Sequence, residues 1–277
     1  MAGMLYLVPT PIGNLGDISR RMAETLGEVD FIAAEDTRVT LRLLNHMGLK
    51  KNLMSYYRHN TAEAGRQVLD RLLAGENGAL VTDAGTPAVS DPGEDLVALC
   101  AENGVVVVAV PGPCALITAL AVSGLPTARF TFEGFLPMNR KNRRALLDTL
   151  AAEERTMIFY EAPHKLAATL EDLAAAFGGD RRVSLCRELT KLHEEVDRTT
   201  LAGAVERYQT EAPRGEFVLV VEGVRCRETE GATLDQGLER VEDLQSEGLS
   251  RKDAVKQAAK ELGLARNELY AAAIKER

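Results

Sequence analysis

The sequence has few cysteines, and none of them lie close together. Cys100, Cys114, Cys186 and Cys226 form neither a CxxC pair nor a disulfide framework. Isolated thiols suit the reducing cytoplasm. The first Lys or Arg is Arg20, so the basic segment that opens a secretory signal is missing. We therefore expect a cytoplasmic protein.

The sequence also lacks an unbroken apolar run long enough to span a membrane. The longest uncharged stretch, Asn103 to Ala128, reaches that length, but Pro111-Gly112-Pro113 interrupts it. It is thereby divided into a short Val-rich strand and a separate Ala- and Leu-rich helix, each too short to cross a bilayer. With 277 residues, 45% of them hydrophobic, the chain can bury the cores of two domains and a small appendage.

Several common site motifs are missing. No GxGxxG follows a predicted strand and no GxxxxGK[ST] occurs, which argues against the usual dinucleotide and P-loop nucleotide sites. Neither HExxH, nor clustered Cys and His, nor GxSxG is present, so we expect no metal centre and no serine hydrolase. The net charge of -8 argues against binding nucleic acid with the whole surface, but it allows a local basic patch.

Apolar runs of strand length alternate with segments of helical period, which predicts an α/β fold. The first series of strands is expected near Met4–Val8, Val29–Ala33, Leu53–Tyr57, Ala79–Thr82 and Val105–Val110. The second series is expected near Phe130–Phe135, Thr156–Tyr160, Val183–Arg187, Val196–Thr200 and Phe217–Val221, with helices such as Arg144–Ala152 and Lys165–Phe177. Two α/β domains follow from this pattern, residues 1–124 and 125–225.

The end of the chain differs in pattern from the rest. After a polar linker, Arg225 to Thr233, residues 234–277 are helical throughout, and Leu238, Val241 and Leu244 share one face. Ser250-Arg-Lys-Asp253 is typical of a capping box, and Gly263 separates two short helices. We expect a small helix-turn-helix module.

Four loops at the ends of predicted strands are candidate ligand sites, because ligands of α/β sheets gather at the carboxyl ends of strands. They combine glycine and proline with small or polar side chains. Taken singly, each is also compatible with an ordinary turn. The four loops are residues 8–17, 82–93, 110–115 and 159–164.

These loops carry a family resemblance. Five ordered motifs, Leu5–Asp17, Ala33–Arg38, Thr82–Gly93, Val110–Ala115 and Phe159–Lys165, together resemble the ribosomal small-subunit methyltransferase I family of the tetrapyrrole methylase superfamily. The resemblance covers the whole chain, including the helical tail. It implies a tetrapyrrole-methylase-like (class III methyltransferase) fold, S-adenosylmethionine as the methyl donor and a homodimer. It also implies 2′-O-methylation of a cytidine in 16S ribosomal RNA, with the small ribosomal subunit as the expected setting.

The resemblance also implies which residues hold the donor between the two domains, largely through backbone groups and small side chains. Thr86 departs from the pattern, because many tetrapyrrole enzymes of the superfamily carry Asp there. The implied donor-binding residues are Pro9, Asp83, Ala84, Gly85, Val89, Cys114, Ala115, Tyr160 and Leu189.

Glu35-Asp36-Thr37-Arg38 is the most distinctive run of the resemblance, and we take Asp36, Glu35 and Arg38 as candidate catalytic residues. A ribose hydroxyl is a poor nucleophile, so its attack on a sulfonium methyl benefits from a carboxylate that takes its proton or orients it. The acids have a second interpretation, because negative charge also caps the start of a helix near Thr37.

RNA binding requires cationic groups near the site. The densest basic cluster includes Arg140, Lys141, Arg143 and Arg144, which we place in a loop that opens a helix, and Arg58 belongs to a second group with Arg38, Arg42 and His59. A solvated helix face is the alternative for such a run. The basic residues of the tail are balanced by acids, so RNA contact and a positioning or dimer role both stay open there.

Two other functions are compatible with the sequence. A methyltransferase of the same fold that acts on a tetrapyrrole or a protein side chain is one, although the 5% aromatic content and the basic cluster argue mildly against a large flat macrocycle. A non-catalytic RNA-binding module is the other, and calorimetry with S-adenosylmethionine separates it from both enzymes.

Overall fold

The computed structural model describes residues 1–224 and 233–275. The chain divides into two compact units, residues 1–223 and 224–277. The first unit contains two five-stranded sheets with their helices, and the second contains the helical tail. The expected linker, apart from Thr233, lies outside the described residues, as do Cys226 and the last two residues of the tail.

The first sheet is entirely parallel, in the order β3-β2-β4-β1-β5. Helices cover both of its faces, so its central strands are apolar on both sides. Its strands are β1 (Met4–Leu7), β2 (Phe31–Ala34), β3 (Asn52–Ser55), β4 (Gly78–Val81) and β5 (Val106–Ala109). The helices of this first lobe are α1 (Arg20–Glu28), α2 (Thr37–His46), α3 (Thr61–Leu73), α4 (Glu94–Glu102) and α5 (Ala115–Val122).

The second sheet is mixed, in the order β6-β7-β10-β8-β9, with only β6 and β7 parallel. Its strands are β6 (Phe130–Phe135), β7 (Thr156–Glu161), β8 (Arg182–Arg187), β9 (Glu195–Thr200) and β10 (Phe217–Val221). The helices of this second lobe are α6 (Arg140–Leu150), α7 (Leu166–Phe177) and α8 (Leu201–Thr210). All ten predicted strands are present, with ends that differ by a few residues at most.

Helix α5 joins the two lobes into one unit. Its residues Leu116, Ala119 and Leu120 pack in one apolar cluster with Ile158 of β7 and Val218 of β10. The helix follows β5 of the first sheet but buries its apolar side against the second sheet. The carboxyl end of β5 is therefore held close to the second lobe.

The tail unit consists of α9 (Leu234–Ser246), α10 (Arg251–Leu262) and α11 (Arg266–Lys275), as the helical pattern predicted. Val241 and Leu244 are buried in its core. Ser250 caps α10, but the reciprocal capping box lies at Thr233 and Gln236 instead. At 250–253 the Asp253 carboxylate accepts from the Ser250 hydroxyl and not from its amide. Gly263 ends α10 in the left-handed conformation, as expected from its position.

Candidate active site between the two sheets

A cavity of about 530 Å³ lies between the two sheets of the first unit, within the range of small-molecule sites. The segments that line it follow β1, β2, β4 and β5 of the first lobe and β7 and β8 of the second, and the end of β6 and the start of β10 complete it. Its lining residues are Ile12, Glu35, Thr82, Asp83, Ala84, Gly85, Thr86, Val89, Ser90, Asp91, Cys114, Ala115, Phe135, Tyr160, Glu161, Ala162, Pro163, Cys186, Leu189, Glu216, Phe217 and Val218.

The loop after β4 is fixed to the loop after β1. Thr10 and Gly85 exchange two backbone hydrogen bonds of 2.9 Å, and the Thr10 hydroxyl donates to the Thr82 carbonyl at 3.0 Å. Gly85 has a φ of +89°, and a Cβ there would lie 3.4 Å from Ile12 Cγ2. Glycine is thus required by the backbone and leaves the cavity wall open at this point.

Backbone strain is concentrated in the loops that line the cavity. Among the described residues, the non-glycine residues with positive φ are Ala88, Ser90, Glu188 and Thr190. The first two flank Val89 and the last two flank Leu189, and both of these residues line the cavity. Such conformations cost about 1–3 kcal/mol each and cluster at functional sites, where the surrounding structure holds them.

Tyr160 connects the second lobe to the start of α5. Its hydroxyl accepts a hydrogen bond of 3.2 Å from the Leu116 amide, and its ring packs edge-on against Phe132 and Phe135. Burial raises the pKa of Tyr160 to about 12, so the hydroxyl stays protonated. Tyr160 is therefore a neutral and fixed part of the cavity wall.

Three carboxylates, Glu35, Asp83 and Asp91, lie together in the first-lobe part of the cavity wall. Glu35 Oε2 accepts from the Thr82 hydroxyl at 2.7 Å. Burial, followed by the charge of Glu35, raises the pKa of Asp83. The same two causes, in the same order, raise the pKa of Asp91 to about 6, against the opposing effects of Thr82 and Arg58. Asp91 thus titrates near neutral pH.

Asp36 and Arg38 are not part of this cavity. The Asp36 carboxylate caps α2 by accepting from the Arg38 amide at 2.8 Å, and it pairs with the Arg38 guanidinium at 2.6 Å. The Arg38 hydrogen bond is the main reason why the pKa of Asp36 falls to about 2. Asp36 caps α2, as its second interpretation predicted, and of the three candidate catalytic residues only Glu35 lines the cavity.

The predicted donor-binding residues lie together, with one exception. All of them except Pro9 line the cavity, from both lobes. Pro9 instead packs against Gly112, where an added Cβ would lie 2.9 Å from Pro9 Cβ. Proline at this position fills the space beside a glycine turn, so its place in the motif reflects packing between loops. Thr86 donates to the Pro113 carbonyl at 3.0 Å, which ties the β4 loop to the β5 loop.

The basic cluster of the second lobe lies within α6 and not in a loop, which corrects the sequence prediction. Asn139 caps the helix by accepting from the amides of Lys141 and Asn142, and this cap outweighs the unfavourable positive charge of the first turn. Arg140, Lys141 and Arg144 are exposed, and within the described part of the chain they form no ion pair.

Arg143 differs from its neighbours on α6, because its side chain is only 14% exposed. Its Nε donates to Asp172 at 2.5 Å and its Nη2 to the Thr169 hydroxyl at 2.9 Å, so it joins α6 to α7. The Thr169 hydroxyl in turn donates to Glu161, a cavity-lining carboxylate that is 4% exposed. Arg143 is thus held by protein partners, unlike its exposed neighbours on α6.

Sequence reasoning assigned no role to Asp91 or Glu161, although both lie inside recognised motifs. The proline that follows Asp91 and the Ala-Pro that follows Glu161 mark the two loops, but burial and neighbouring charge depend on the fold. Arg58 borders a smaller cavity of about 290 Å³, which also contains Ser90 and Asp91.

Within residues 1–224 and 233–275, no cluster of three or more His, Cys, Asp or Glu side chains has the arrangement of a metal site. None of the helices in those ranges combines the length and apolar character needed to cross a membrane.

Known proteins resemble the chain in sequence and in fold. Residues 4–205 match the family model for Tetrapyrrole (Corrin/Porphyrin) Methylases, and residues 232–277 match that for the RsmI C-terminal HTH domain. A ribosomal RNA small subunit methyltransferase I of Synechocystis sp. is 48% identical over 97% of this chain and 96% of its own length. One of Escherichia coli O157:H7 is 46% identical over 99% and 96%.

A solved structure shares the fold at much lower identity. The uroporphyrin-III C-methyl transferase from Thermus thermophilus, complexed with S-adenyl homocysteine, is 18% identical to this chain. The match has a TM-score of 0.57 and covers 80% of this chain and 99% of that one.

Proposed function

The chain belongs to the tetrapyrrole methylase family, and we propose that it transfers the methyl group of S-adenosylmethionine to the 2′ oxygen of a cytidine ribose in small-subunit (16S) ribosomal RNA. The observation that carries this proposal is the cavity between the two sheets, in a chain that matches ribosomal RNA methyltransferases over almost its whole length. Both α/β lobes contribute to that cavity, as a donor site shared between lobes requires.

The residues of the cavity fit the donor. Ala84, Gly85, Cys114 and Ala115 are small, so backbone groups can approach a bound adenosyl group closely, and Leu189 offers an apolar surface to its base. A Cβ at Gly85 would narrow this space. The donor carries a positive sulfonium, which the nearby carboxylates Glu35 and Asp83 favour. We propose that Val89 and Tyr160 complete the donor site.

When bound, the donor supplies an electrophilic methyl group, and the protein supplies position and proton transfer. The fixed loops after β4 and β5 hold the reacting groups in place, because exchanged backbone hydrogen bonds limit their motion. A carboxylate in the cavity wall accepts the hydroxyl proton. Of the predicted catalytic set, Glu35 lines the cavity, where its charge acts on Asp83 and Asp91, whereas Asp36 and Arg38 stabilise the start of α2.

We propose that α6 contacts the RNA backbone through Arg140, Lys141 and Arg144. These three cations are exposed, and α6 begins only five residues after Phe135, which lines the cavity. Arg58 is a further candidate on the first lobe, beside the smaller cavity. Cations placed around a cleft attract the phosphates of a nucleic acid even when the net charge of the protein is negative.

The finer features of the proposal follow the family. We propose that the substrate RNA is bound within the small ribosomal subunit, that the chain acts as a homodimer, and that it works in the cytoplasm. The alternative acceptors, a tetrapyrrole or a protein side chain, have weaker support. The ribosomal RNA enzymes are 46% and 48% identical to this chain, against 18% for the tetrapyrrole enzyme.

One experiment tests the proposed function. The protein is incubated with methyl-labelled S-adenosylmethionine and either unmodified small subunits or naked ribosomal RNA, and the labelled nucleoside is then identified. We expect one 2′-O-methylcytidine. Label on a base or on a protein, or no label in either substrate, would reject the proposal.

A further inference from the structure

Two cavities of the first unit meet at a shared wall. The larger one, described above, contains the proposed donor site, and the smaller one has a volume of about 290 Å³. Among the residues that the structure describes, Ser90 and Asp91 are the two that line both. In a reaction that joins two substrates, a group at such a junction can touch both of them.

The two cavities differ in the side chains that they offer. Apart from its carboxylates Glu35, Asp83, Asp91, Glu161 and Glu216, the larger one is lined mostly by apolar or small side chains, which suits an adenosyl group. The smaller one is lined mainly by polar or charged side chains, namely Arg58, Thr61, Ser90, Asp91, Glu94 and Asp95. Carboxylates accept hydrogen bonds from ribose hydroxyls, and the Arg58 guanidinium can donate to a phosphate that stays clear of the three acids.

We propose that Asp91 is a catalytic residue of the methyl transfer, which accepts the proton of the ribose hydroxyl where a nucleotide in the smaller cavity meets the donor in the larger one. This inference rests on the proposed function. In the step, the hydroxyl oxygen forms a bond to the methyl carbon while the carbon–sulfur bond breaks and leaves its electron pair on sulfur. The hydroxyl proton moves to the Asp91 carboxylate, which later releases it to water.

The backbone around Asp91 holds the carboxylate in place. Ser90 has a φ of +70°, a conformation that non-glycine residues adopt only where the surrounding structure enforces it. Pro92 restricts the backbone of Asp91 from the other side, because the residue before a proline is largely confined to extended conformations. A base that must meet a hydroxyl at hydrogen-bond distance benefits from such positioning.

The other carboxylates near the junction are less suited to accept the proton. Glu35 and Asp83 line the larger cavity but not the smaller one, and Glu94 and Asp95 line the smaller one but not the larger. Asp36 is paired with Arg38 outside both cavities. The charged and titratable groups that face Asp91 come from several elements: Glu35 after β2, Arg58 after β3, Asp83 after β4, Glu94 and Asp95 in α4, and Tyr160 in β7. Burial, followed by the charges of Glu35 and Asp83, raises the pKa of Asp91 to about 6 against the opposing effects of Thr82 and Arg58, close to the pH at which a base must work.

The test compares Asp91→Asn with the wild type and with Asp70→Asn, the same change at an exposed position of α3. Single-turnover methyl transfer is measured from pH 5 to pH 9. In the wild type we expect the rate to rise with pH and level off above about 6. In Asp91→Asn the rate should fall roughly 10²- to 10⁴-fold and lose this rise, as expected when a general base is removed. Asp70→Asn should match the wild type.

Two measurements that do not depend on turnover accompany the kinetics. Calorimetry should show the same affinity of Asp91→Asn for S-adenosylmethionine, since the donor is held mainly by other residues. The pKa of Asp91 is about 6 in the folded protein and near 4 in the unfolded chain, so its ionisation destabilises the folded protein. This loss of stability begins as the pH rises above about 4 and is complete above about 6. Asp91→Asn should therefore melt ~2–4 °C higher than the wild type at pH 8, with no difference at pH 4.

The outcomes separate this inference from the proposed function. An active wild type with an equally active Asp91→Asn, or with an unchanged pH profile in that variant, overturns the role of Asp91 alone. Loss of donor affinity in Asp91→Asn would also overturn it, because the residue would then support the donor site. A wild type that methylates no RNA would remove both proposals together.

Discussion

The carboxylates of the first lobe show how the same side chain takes different roles in different surroundings. The Asp36 carboxylate accepts hydrogen bonds from the Arg38 side chain and from the backbone amide at the start of α2, and both hold its pKa near 2. Asp91 lies in the shared wall of two cavities near two other carboxylates, and its pKa rises to about 6. The difference comes from burial and neighbouring charge and not from the residue type.

Glu35 is expected to affect the pKa of Asp91. Its negative charge raises the pKa of Asp91, so Glu35→Gln should move the rise of the pH–rate profile to lower pH. Asp36→Asn is the matched control, because asparagine caps a helix about as well as aspartate and Asp36 lines neither cavity. It should keep the wild-type profile. An unshifted profile in Glu35→Gln, or a shifted one in Asp36→Asn, would contradict this account of the acids.

Gly85 is expected to matter for donor binding beyond its effect on the backbone. Gly85→Ala forces a side chain into a positive φ and places a Cβ 3.4 Å from Ile12 at the cavity wall. We expect a loss of roughly 1–2 kcal/mol in stability and a measurably weaker affinity for S-adenosylmethionine. Gly48 has a φ of +70° but open space around it. Gly48→Ala should therefore lose stability while its affinity for S-adenosylmethionine stays unchanged. Melting curves and calorimetry measure the two effects, and equal affinities in both variants would argue against a donor at Gly85.

At the scale of the elements, α6 shows the limit of sequence reasoning. The alternation of apolar residues was sufficient to predict every strand, because strand burial is a local pattern with a period of two or a continuous apolar run. The start of α6 was wrong by four residues, because the Asn139 cap was not weighed against the charges that follow it. The role of Arg143 was out of reach, since its partner Asp172 lies 29 residues away.

The exposed cations of α6 are expected to contribute to RNA affinity through charge. Arg144→Glu should weaken binding to the substrate RNA and reduce the slope of log affinity against log salt by about 1, the value for one lost phosphate contact. Arg66→Glu, an equal charge change at an exposed position of α3, is the control and should leave the slope nearly unchanged. Binding titrations at several salt concentrations measure both. A slope that is the same in Arg144→Glu as in the wild type would remove α6 from the RNA surface.

Replacement of Arg143 is expected to lower the stability of the protein and to leave the salt dependence of RNA binding unchanged. Arg143→Met removes the guanidinium that hydrogen-bonds Asp172 and Thr169 and so joins α6 to α7. The variant should therefore melt at a lower temperature, with an unchanged slope of log RNA affinity against log salt. Thermal melts and the same titrations show the two effects. A reduced salt slope with an unchanged melting temperature would mean that Arg143 meets phosphate after all.

At the scale of the whole molecule, the candidate site was predictable as a set of loops but not as a set of roles. The motifs after the strands converge because the carboxyl ends of parallel strands share one edge, and α5 brings that edge to the second sheet. Pro9 belongs to the same motif yet packs against Gly112 outside the cavity. A motif indicates where the chain turns toward the site, whereas the contact of each side chain depends on distant partners.

The central claim is that both lobes of the first unit hold one methyl donor in the cavity between their sheets. A crystal structure of this chain with S-adenosylhomocysteine, the product of the donor, tests it most directly. We expect the ligand to lie against Gly85 and Ala115 of the first lobe and Leu189 of the second. A ligand bound outside this cavity, or one held by a single lobe, would contradict it.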